Sequence, residues 1–579
     1  MREMGGFMLN PNVQTLAGLA HDLGLRTAAF VGSSAVARQF GLARGFEVYD
    51  DQMPLIPAGR RPPRGIAERR ASVTTDHALA WLQEHSEERF FLWVHYYNPH
   101  FPYDPPEPYH RRYIHDLCSG EIAYTDEQAG RILSFLEQPG LRGRTLVIMT
   151  ADHGEGLFQH GEGEHGVFLY DDTLHVPLII CGPGVPAGKT IPQQVRSIDI
   201  LPTVAAFLGV APPAKVQGVN LWPLMDKERE LPGKGSDYAY LESSLPKTRM
   251  YWSQLRGMRT DRWKFVLAPH PELYDLELDP GEKHNVIAQQ PGVVEKLQKK
   301  IWEVVGPPGH SETVTNNALD AQTRDELASL GYVDAATHGK IILDSSGSDP
   351  KDHVASLLAI SRYRWLMVAG EYPQAARTVQ CVIPSDLADP ALRIYLLQAY
   401  QAQRDWRHLE QACLTAENAG IVTSPIWAFQ GEALMREGRL TEAIPAMLKA
   451  SRLDPTNINN LYNLGTTCLY LNRPKEAEEA FQAMLSQGSH PATAYDGLGL
   501  AAVECDDPAA AMQDFQKAIA ANPNNPRPLL DLGVLCQKTG NRDLALHYLS
   551  LFVEKAPPEV YGAVLPRVRY ELQRLAHSP

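Results

Sequence analysis

The chain has 579 residues, of which 44% are hydrophobic and 21% charged, and its formal net charge is −14. This composition is ordinary for a globular protein, and the length predicts two or three domains. The negative charge excludes a general nucleic-acid-binding protein, because such proteins present a basic surface. No run of 18 apolar residues is present, so we expect no transmembrane segment.

The first half of the chain alternates helical and strand patterns. Apolar residues at helical spacing over residues 10–24 precede an apolar run that predicts a buried strand, and the same alternation then repeats. After the first helix, the predicted elements are a strand at 26–32, a helix at 74–85, a strand at 90–94, a helix at 121–136 and strands at 145–150 and 176–181. This order is typical of an α/β domain.

A dense group of polar residues follows the strand predicted at 145–150. Asp152 and His153 come directly after this strand, in a loop rich in glycine, and His160 and His165 lie further along the same loop. Ligands of open α/β sheets bind beyond the carboxyl ends of strands, and a carboxylate beside an imidazole is a suitable metal pair. We therefore predict a metal site with both later histidines in reach of the ion or its substrate. The alternative is a solvated acidic loop.

A second histidine-rich segment follows the strand predicted at 90–94. This strand runs into His95, and His100 and Tyr103 lie in the loop beyond it. The position of His100 after a strand favours a role in the site, and His95 could support either His100 or the metal. The alternative for His100 is a loop histidine stacked on Tyr103.

Several motifs together resemble the sulfatases of the alkaline phosphatase superfamily, over residues 5 to about 333. The similar stretches are Asp152-His153-Gly-Glu, His160-Gly, His165, Tyr170-Asp-Asp-Thr-Leu-His-Val-Pro177, Glu121-Ile-Ala-Tyr-Thr-Asp126, Asp199-Ile-Leu-Pro202-Thr203 and Glu272-Leu-Tyr-Asp275 with Asp279-Pro-Gly-Glu282. The resemblance implies a sulfatase-like sandwich of helices around a mostly parallel sheet. It also implies hydrolysis of sulfate esters, or of phosphate or phosphonate esters, and an extracytoplasmic location, although the N-terminus does not look like a signal peptide.

The resemblance assigns roles to individual residues. It implies that Asp152 and His153 bind one divalent metal, that His100 protonates the leaving group, and that His165 contacts the ester. His95 and His160 are expected to contribute to substrate binding. Calcium is the ion that the resemblance favours, and manganese and zinc stay open because imidazole suits them better.

The nucleophile expected from the resemblance, Cys or Ser in (Cys/Ser)-x-Pro-x-Arg, has no match in the sequence. Cys181-Gly-Pro and Ser244-Leu-Pro lack the arginine, and the pair Asp50-Asp51 follows the second strand instead of the first. We therefore expect a sulfatase-like domain at 1–335 that is N-terminally truncated and whose chain is incomplete or inactive. A non-catalytic interaction protein is the alternative.

The second half of the chain repeats with a fixed period. Gly431, Gly465, Gly499 and Gly533 are each 34 residues apart, and alanines keep the same step twelve residues later. This period is typical of tetratricopeptide repeats, in which paired helices stack into an all-α solenoid. We predict a linker at 336–351, then at 352–579 about six helix pairs and a capping helix that bind a protein partner.

Overall fold

The computed structural model describes residues 9–53, 68–101, 103–225, 237–306, 312–315, 340–343, 346–386, 389–487 and 490–577. The chain divides into two compact units, of which the first holds the described residues up to 315 together with 341–371, and the second holds residue 340 and the described residues from 372 onward. The predicted linker at 336–351 lies partly outside the described residues.

A parallel three-stranded sheet forms the first layer of the first unit. Strand β1 (Arg26–Val31) lies between β2 (Val48–Asp50) and β3 (Phe90–His95). Five of the six residues of β1 are buried, as predicted for a central strand. The register pairs Val31 with His95, so β1 and β3 end side by side at the same edge.

Helices cover this sheet and build the core around it. Helix α1 (Leu16–Asp22) precedes β1, and α2 (Ala71–His85) connects β2 to β3. The core contains Ala28 and Phe30 of β1 with Ala78, Trp81 and Leu82 of α2. Ile132 and Phe135 pack against this cluster from the helix that follows β3, and this helix therefore belongs to the same layer.

Two helices, α3 (Tyr109–Arg112) and α4 (Leu117–Leu136), lead from β3 to the next strand pair. Asp116 caps α4 by accepting a hydrogen bond from the backbone N–H of Ser119, at 3.1 Å. Such a cap satisfies one of the free N–H groups at a helix start. The predicted helix at 121–136 is thus observed, one turn longer at its N-terminus.

Strands β4 (Val147–Thr150) and β5 (Leu178–Cys181) form an antiparallel pair. The expectation that β4 is a buried strand is wrong, since Met149 is 43% exposed and its partner Ile179 is 52% exposed. Met149 and Ile179 are paired residues on the same face, and the described part of the chain leaves that face open to solvent.

The first unit also contains an antiparallel four-stranded sheet covered by a helix. Met258, Phe265 and Leu273 of this sheet pack against Leu297 and Ile301 of the helix. The strands are β6 (Ala239–Ser243), β7 (Leu255–Arg259), β8 (Trp263–Leu267) and β9 (Glu272–Asp275), and the helix is Pro291–Val305. The remaining elements assigned before residue 372 are helices Asp171–Leu174, Ile200–Phe207, Trp222–Met225, Leu245–Met250 and Val354–Val368, short strands Glu312–Thr315 and Lys340–Leu343, and several single 3₁₀ turns.

The second unit is a series of paired helices. Its helices are Tyr372–Val382, Pro390–Gln403, Trp406–Asn418, Ser424–Arg436, Leu440–Leu453, Ile458–Tyr470, Pro474–Ser486, Pro491–Glu504, Pro508–Ala521, Arg527–Lys538, Arg542–Lys555, Pro558–Tyr561 and Leu565–His577. The repeating glycines lie where paired helices touch, with Gly465 against the ring of Phe481 and Gly499 against that of Phe515. The small residues at the 34-residue step are therefore needed for close packing.

The predicted succession of an α/β domain and an all-α solenoid of paired helices is confirmed. Within the described ranges, no helix has the length and apolar character needed to span a bilayer.

Candidate functional site

Three histidine side chains from two loops meet in the first unit. The loop after β3 carries His100, and the loop after β4 carries His153 and His165. The rings of His153 and His165 stack with centroids 3.6 Å apart, and the ring of His100 stands edge-on to His165 at 5.6 Å. The structure thus brings His100 together with two histidines that follow it by 53 and 65 positions in the sequence.

Asp152 and His153 form a tight local pair at the start of the second loop. The backbone N–H of His153 donates to Asp152 Oδ1 at 3.0 Å, and His153 Nδ1 lies 2.9 Å from the carbonyl oxygen of Gly154. Because a carbonyl only accepts, Nδ1 carries the proton, and Nε2 keeps a lone pair. This Nε2 lies 3.6 Å from Asp152 Oδ1.

This pair fits a divalent cation. Metal bonds to nitrogen and carboxylate oxygen measure about 2.0–2.2 Å, so one ion can reach two atoms separated by 3.6 Å. Burial lowers the pKa of His153, and the charge of His165 lowers it further. His153 is therefore a neutral imidazole at neutral pH, the form that binds metals.

Glu155 fixes the orientation of His165. Its Oε1 lies 3.3 Å from His165 Nδ1, and its Oε2 accepts a hydrogen bond from the hydroxyl of Tyr103 at 3.0 Å. Burial alone would lower the pKa of His165, but the hydrogen bond and charge of Glu155 outweigh it and raise the pKa. His165 is therefore the member of the stacked pair that takes up a proton more readily.

His100 is held by its own loop. Its Nδ1 lies 2.7 Å from the carbonyl oxygen of Phe101, so Nδ1 is the nitrogen that donates to this carbonyl. The ring stacks on Tyr97, with centroids 4.3 Å apart and an interplanar angle of 17°. The alternative in which His100 stacks on Tyr103 is thus not what the structure shows, because Tyr103 reaches Glu155 instead.

His95 is the last residue of β3. Its Nδ1 is 3.4 Å from the backbone nitrogen of Gly32 at the end of β1. Burial lowers the pKa of His95, while the negative charge of Asp152 opposes that shift.

His160 occupies a different position from the other histidines. Its ring stacks on Tyr170, with centroids 3.8 Å apart. Burial lowers its pKa, and the charge of Asp172 opposes this. The loop turns back around His160, where the N–H of Phe158 donates to the carbonyl of Glu162. His160 therefore faces the network around Tyr170, and its predicted role in substrate binding stays a prediction.

The pair Asp50-Asp51 is engaged by cations of the chain itself. Asp50 forms an ion pair of 2.8 Å with the buried Arg69 and lies 2.6 Å from His77. Asp51 binds Arg38 at 2.8 Å. These contacts support the interpretation that the pair is structural.

Sequence reasoning missed three residues that support the histidine group, namely Tyr97, Tyr103 and Glu155. Glu155 was visible as the last residue of the Asp-His-Gly-Glu motif, and both tyrosines lie within three residues of His100. The spacing could not show that Tyr97 would take the ring of His100.

Family profiles match both units of the chain. The sulfatase profile matches residues 8–210, and the profile for the C-terminal part of N-sulphoglucosamine sulphohydrolase matches 163–306. Tetratricopeptide-repeat profiles match 424–457, 462–526 and 502–565. The chain therefore contains a sulfatase-family domain followed by tetratricopeptide repeats.

The curated relatives that match this chain include arylsulfatase K of two vertebrates. Arylsulfatase K of Gallus gallus is 30% identical over 213 residues, which are 36% of this chain and 39% of that protein. Arylsulfatase K of Xenopus laevis is 30% identical over 218 residues, 35% of this chain and 38% of that protein. The chain thus spans about two fifths of the length of these relatives. A solved structure of a sulfatase from Bacteroides thetaiotaomicron aligns at 20% identity with a TM-score of 0.42, covering 52% of this chain and 77% of that one.

Proposed function

We propose that the first unit is a metal-dependent sulfate-ester hydrolase domain and that the repeats hold a protein partner. The observation that carries the proposal is the contact of His100, His165 and His153 beside Asp152, on a domain of the sulfatase family. The similarity to arylsulfatase K favours a sulfate ester.

The site divides into a metal side and an ester side. Asp152 and His153 present one carboxylate oxygen and one imidazole nitrogen to a divalent cation, and the charge of Asp152 also acts on His95. When bound, such a cation polarises the ester oxygens and stabilises the negative charge that develops on them. Calcium, manganese and zinc are all compatible with one oxygen and one nitrogen ligand, with calcium favoured by the family.

The ester side consists of His165 and His100. Protonated His165, stabilised by Glu155, attracts a sulfate oxygen and donates a hydrogen bond to it from Nε2. The ring of His100 lies 5.6 Å from that of His165, centroid to centroid, and in its doubly protonated form His100 can give the Nε2 proton to the departing alcohol. His165 thus contacts the sulfate group and His100 the alcohol, on either side of the sulfur–oxygen bond that is broken.

The repeats supply a second surface. Stacked helix pairs form a continuous array with an extended face, which is how such solenoids bind peptides and partner helices. We propose that this array recruits a protein partner to the ester-binding domain.

Binding is the primary test, because the family's nucleophile motif has no match in these 579 residues and turnover is expected to be very slow. The affinity for 4-nitrophenyl sulfate and 4-nitrophenyl phosphate is measured with calcium, manganese or zinc and after chelation. We expect metal-dependent binding that is tighter for the sulfate and weakened in His100→Gln and His165→Gln.

The control is His284→Gln, because the side chain of His284 is 80% exposed and lies after β9 of the same unit. It should bind like the wild type. Tighter binding of the phosphate would favour phosphoester hydrolysis instead. Failure of both esters to bind with any of the three metals would refute the proposal and leave the repeats as the functional part.

A further inference from the structure

Glu121 of α4 joins both ends of the loop that carries His100. Its Oε2 accepts a hydrogen bond from the backbone N–H of His100 at 3.0 Å. Its Oε1 accepts from the backbone N–H of Asp104 at 2.8 Å and from the side-chain amide of Asn98 at 3.2 Å. The side chain of Glu121 therefore links the two ends of the segment 98–104 by hydrogen bonds.

The three contacts require a carboxylate. All three partners are N–H donors, and two of them belong to the backbone and cannot turn away. Glu121 is only 2% exposed, so solvent cannot replace a lost acceptor. A glutamine there would place its own NH₂ group against a donor and leave a buried N–H unpaired.

The helix that bears Glu121 is itself firmly placed. Tyr124, one turn further along α4, accepts a hydrogen bond on its hydroxyl from the N–H of Ser72 at 2.9 Å. Ala71, at the start of α2, donates its N–H to the side chain of Asn98 at 3.2 Å. The loop is thus tied to two helices of the core, and α4 provides the anchor at His100.

We propose that Glu121 is a positioning residue that holds His100 against Tyr97 and His165, and so sets the place of Nε2 in the ester side. This inference rests on the proposed function, in which His100 contacts the ester. Glu121 touches neither ester nor metal and acts through the backbone of His100. Its loss should therefore weaken ester binding without changing the metal pair of Asp152 and His153.

The test compares Glu121→Gln, His100→Gln and the double variant. Hydrogen–deuterium exchange followed by mass spectrometry reports the amides of 98–104, and titration reports the affinities for 4-nitrophenyl sulfate and for manganese. For Glu121→Gln we expect faster exchange in the loop, a roughly 5- to 100-fold loss of ester affinity and unchanged manganese affinity. The double variant should lose no more than His100→Gln alone, because Glu121 acts only through His100.

The matched control is Glu282→Gln, a buried glutamate that accepts the backbone N–H of Asp171 and none of the N–H groups of segment 98–104 to which Glu121 binds. We expect this variant to be less stable than the wild type, with unchanged loop exchange and ester affinity. An unchanged exchange rate at 98–104 in Glu121→Gln, or an additive loss in the double variant, would overturn the inference. If the wild type binds no ester, the proposed function fails, and the exchange measurement still decides whether Glu121 holds the loop.

Discussion

The imidazole rings of His153 and His165 stack face to face at 3.6 Å, yet their pKa values shift in opposite directions. Two cations at this distance would repel each other strongly, so the pair carries at most one proton easily. Glu155 directs that proton to His165 and leaves His153 neutral. An imidazole that favours the neutral form beside Asp152, and one that favours the protonated form beside His100, are what the proposed metal side and anion side require.

Replacing His165 should separate these two sides. In His165→Gln we expect sulfate-ester affinity to fall by about tenfold or more, because a charge-assisted hydrogen bond is lost. Manganese affinity should stay within about threefold of the wild type, since His165 is not a proposed ligand. Calorimetric titration with each ligand checks this. Equal losses for ester and metal would show that the division between the two sides is wrong.

Glu162 should make the stability of the first unit depend on pH. Its carboxylate accepts the N–H groups of Val167 and Phe168 at 2.7 and 3.0 Å, and burial raises its pKa from 4.5 to about 7, with His165 opposing the shift and Asp172 adding to it. Between pH 4.5 and about 7 the folded chain then binds a proton that the unfolded chain has released. This contribution to stability is complete below pH 4.5 and is lost as pH rises to about 7, by up to roughly 1.4 kcal/mol per pH unit.

The comparison that isolates this effect is wild type against Glu162→Gln, unfolded with urea at pH 5 and pH 7.5. The difference in unfolding free energy between them should change with pH in the stated direction. A difference that is constant across this range would contradict the raised pKa.

Lys264 should be essential for the stability of the four-stranded sheet. It is fully buried on β8, and its Nζ lies 2.6 Å from Asp171 and 2.7 Å from Glu282. In Lys264→Met, Asp171 keeps Arg259 at 2.8 Å, but Glu282 loses its buried counter-charge. We expect a loss of about 3–5 kcal/mol in unfolding free energy.

The matched lysine variant is Lys300→Met, which removes a surface pair with Glu303. Urea unfolding should show little or no change for it, because exposed ion pairs are screened by solvent. Similar losses for both lysine variants would mean that burial does not determine the strength of the Lys264 network.

Gly499 should resist substitution despite its helical position. Alanine usually stabilises a helix interior by about 1 kcal/mol relative to glycine. Here an added Cβ would lie 2.6 Å from ring atoms of Phe515, which is 1% exposed and cannot move aside. Gly499→Ala should therefore destabilise the repeats by about 1–3 kcal/mol. Gly130→Ala, on α4 with no atom within 4 Å of the new Cβ, should not destabilise the first unit, and thermal unfolding of both variants provides the check.

The sequence predicts the repeats well because close packing fixes residue type at a regular step, as at Gly465 and Gly499. It also predicts that Asp152 and His153 follow a strand, since periodicity locates strand ends. It does not predict that His160 turns to Tyr170, because that depends on the path of the loop between them. The sequence also predicts, wrongly, that β4 is buried, because apolar composition cannot show whether another part of the chain covers Met149.

The metal pair is the central claim, and calorimetric titration of manganese and calcium into the chain tests it most directly. We predict saturable binding of one ion to the wild type, and loss of at least tenfold in affinity for both Asp152→Ala and His153→Ala. His21→Gln, on the exposed face of α1, should bind as the wild type does. Equal affinity in the wild type and in Asp152→Ala, or no binding to any variant, would contradict the account.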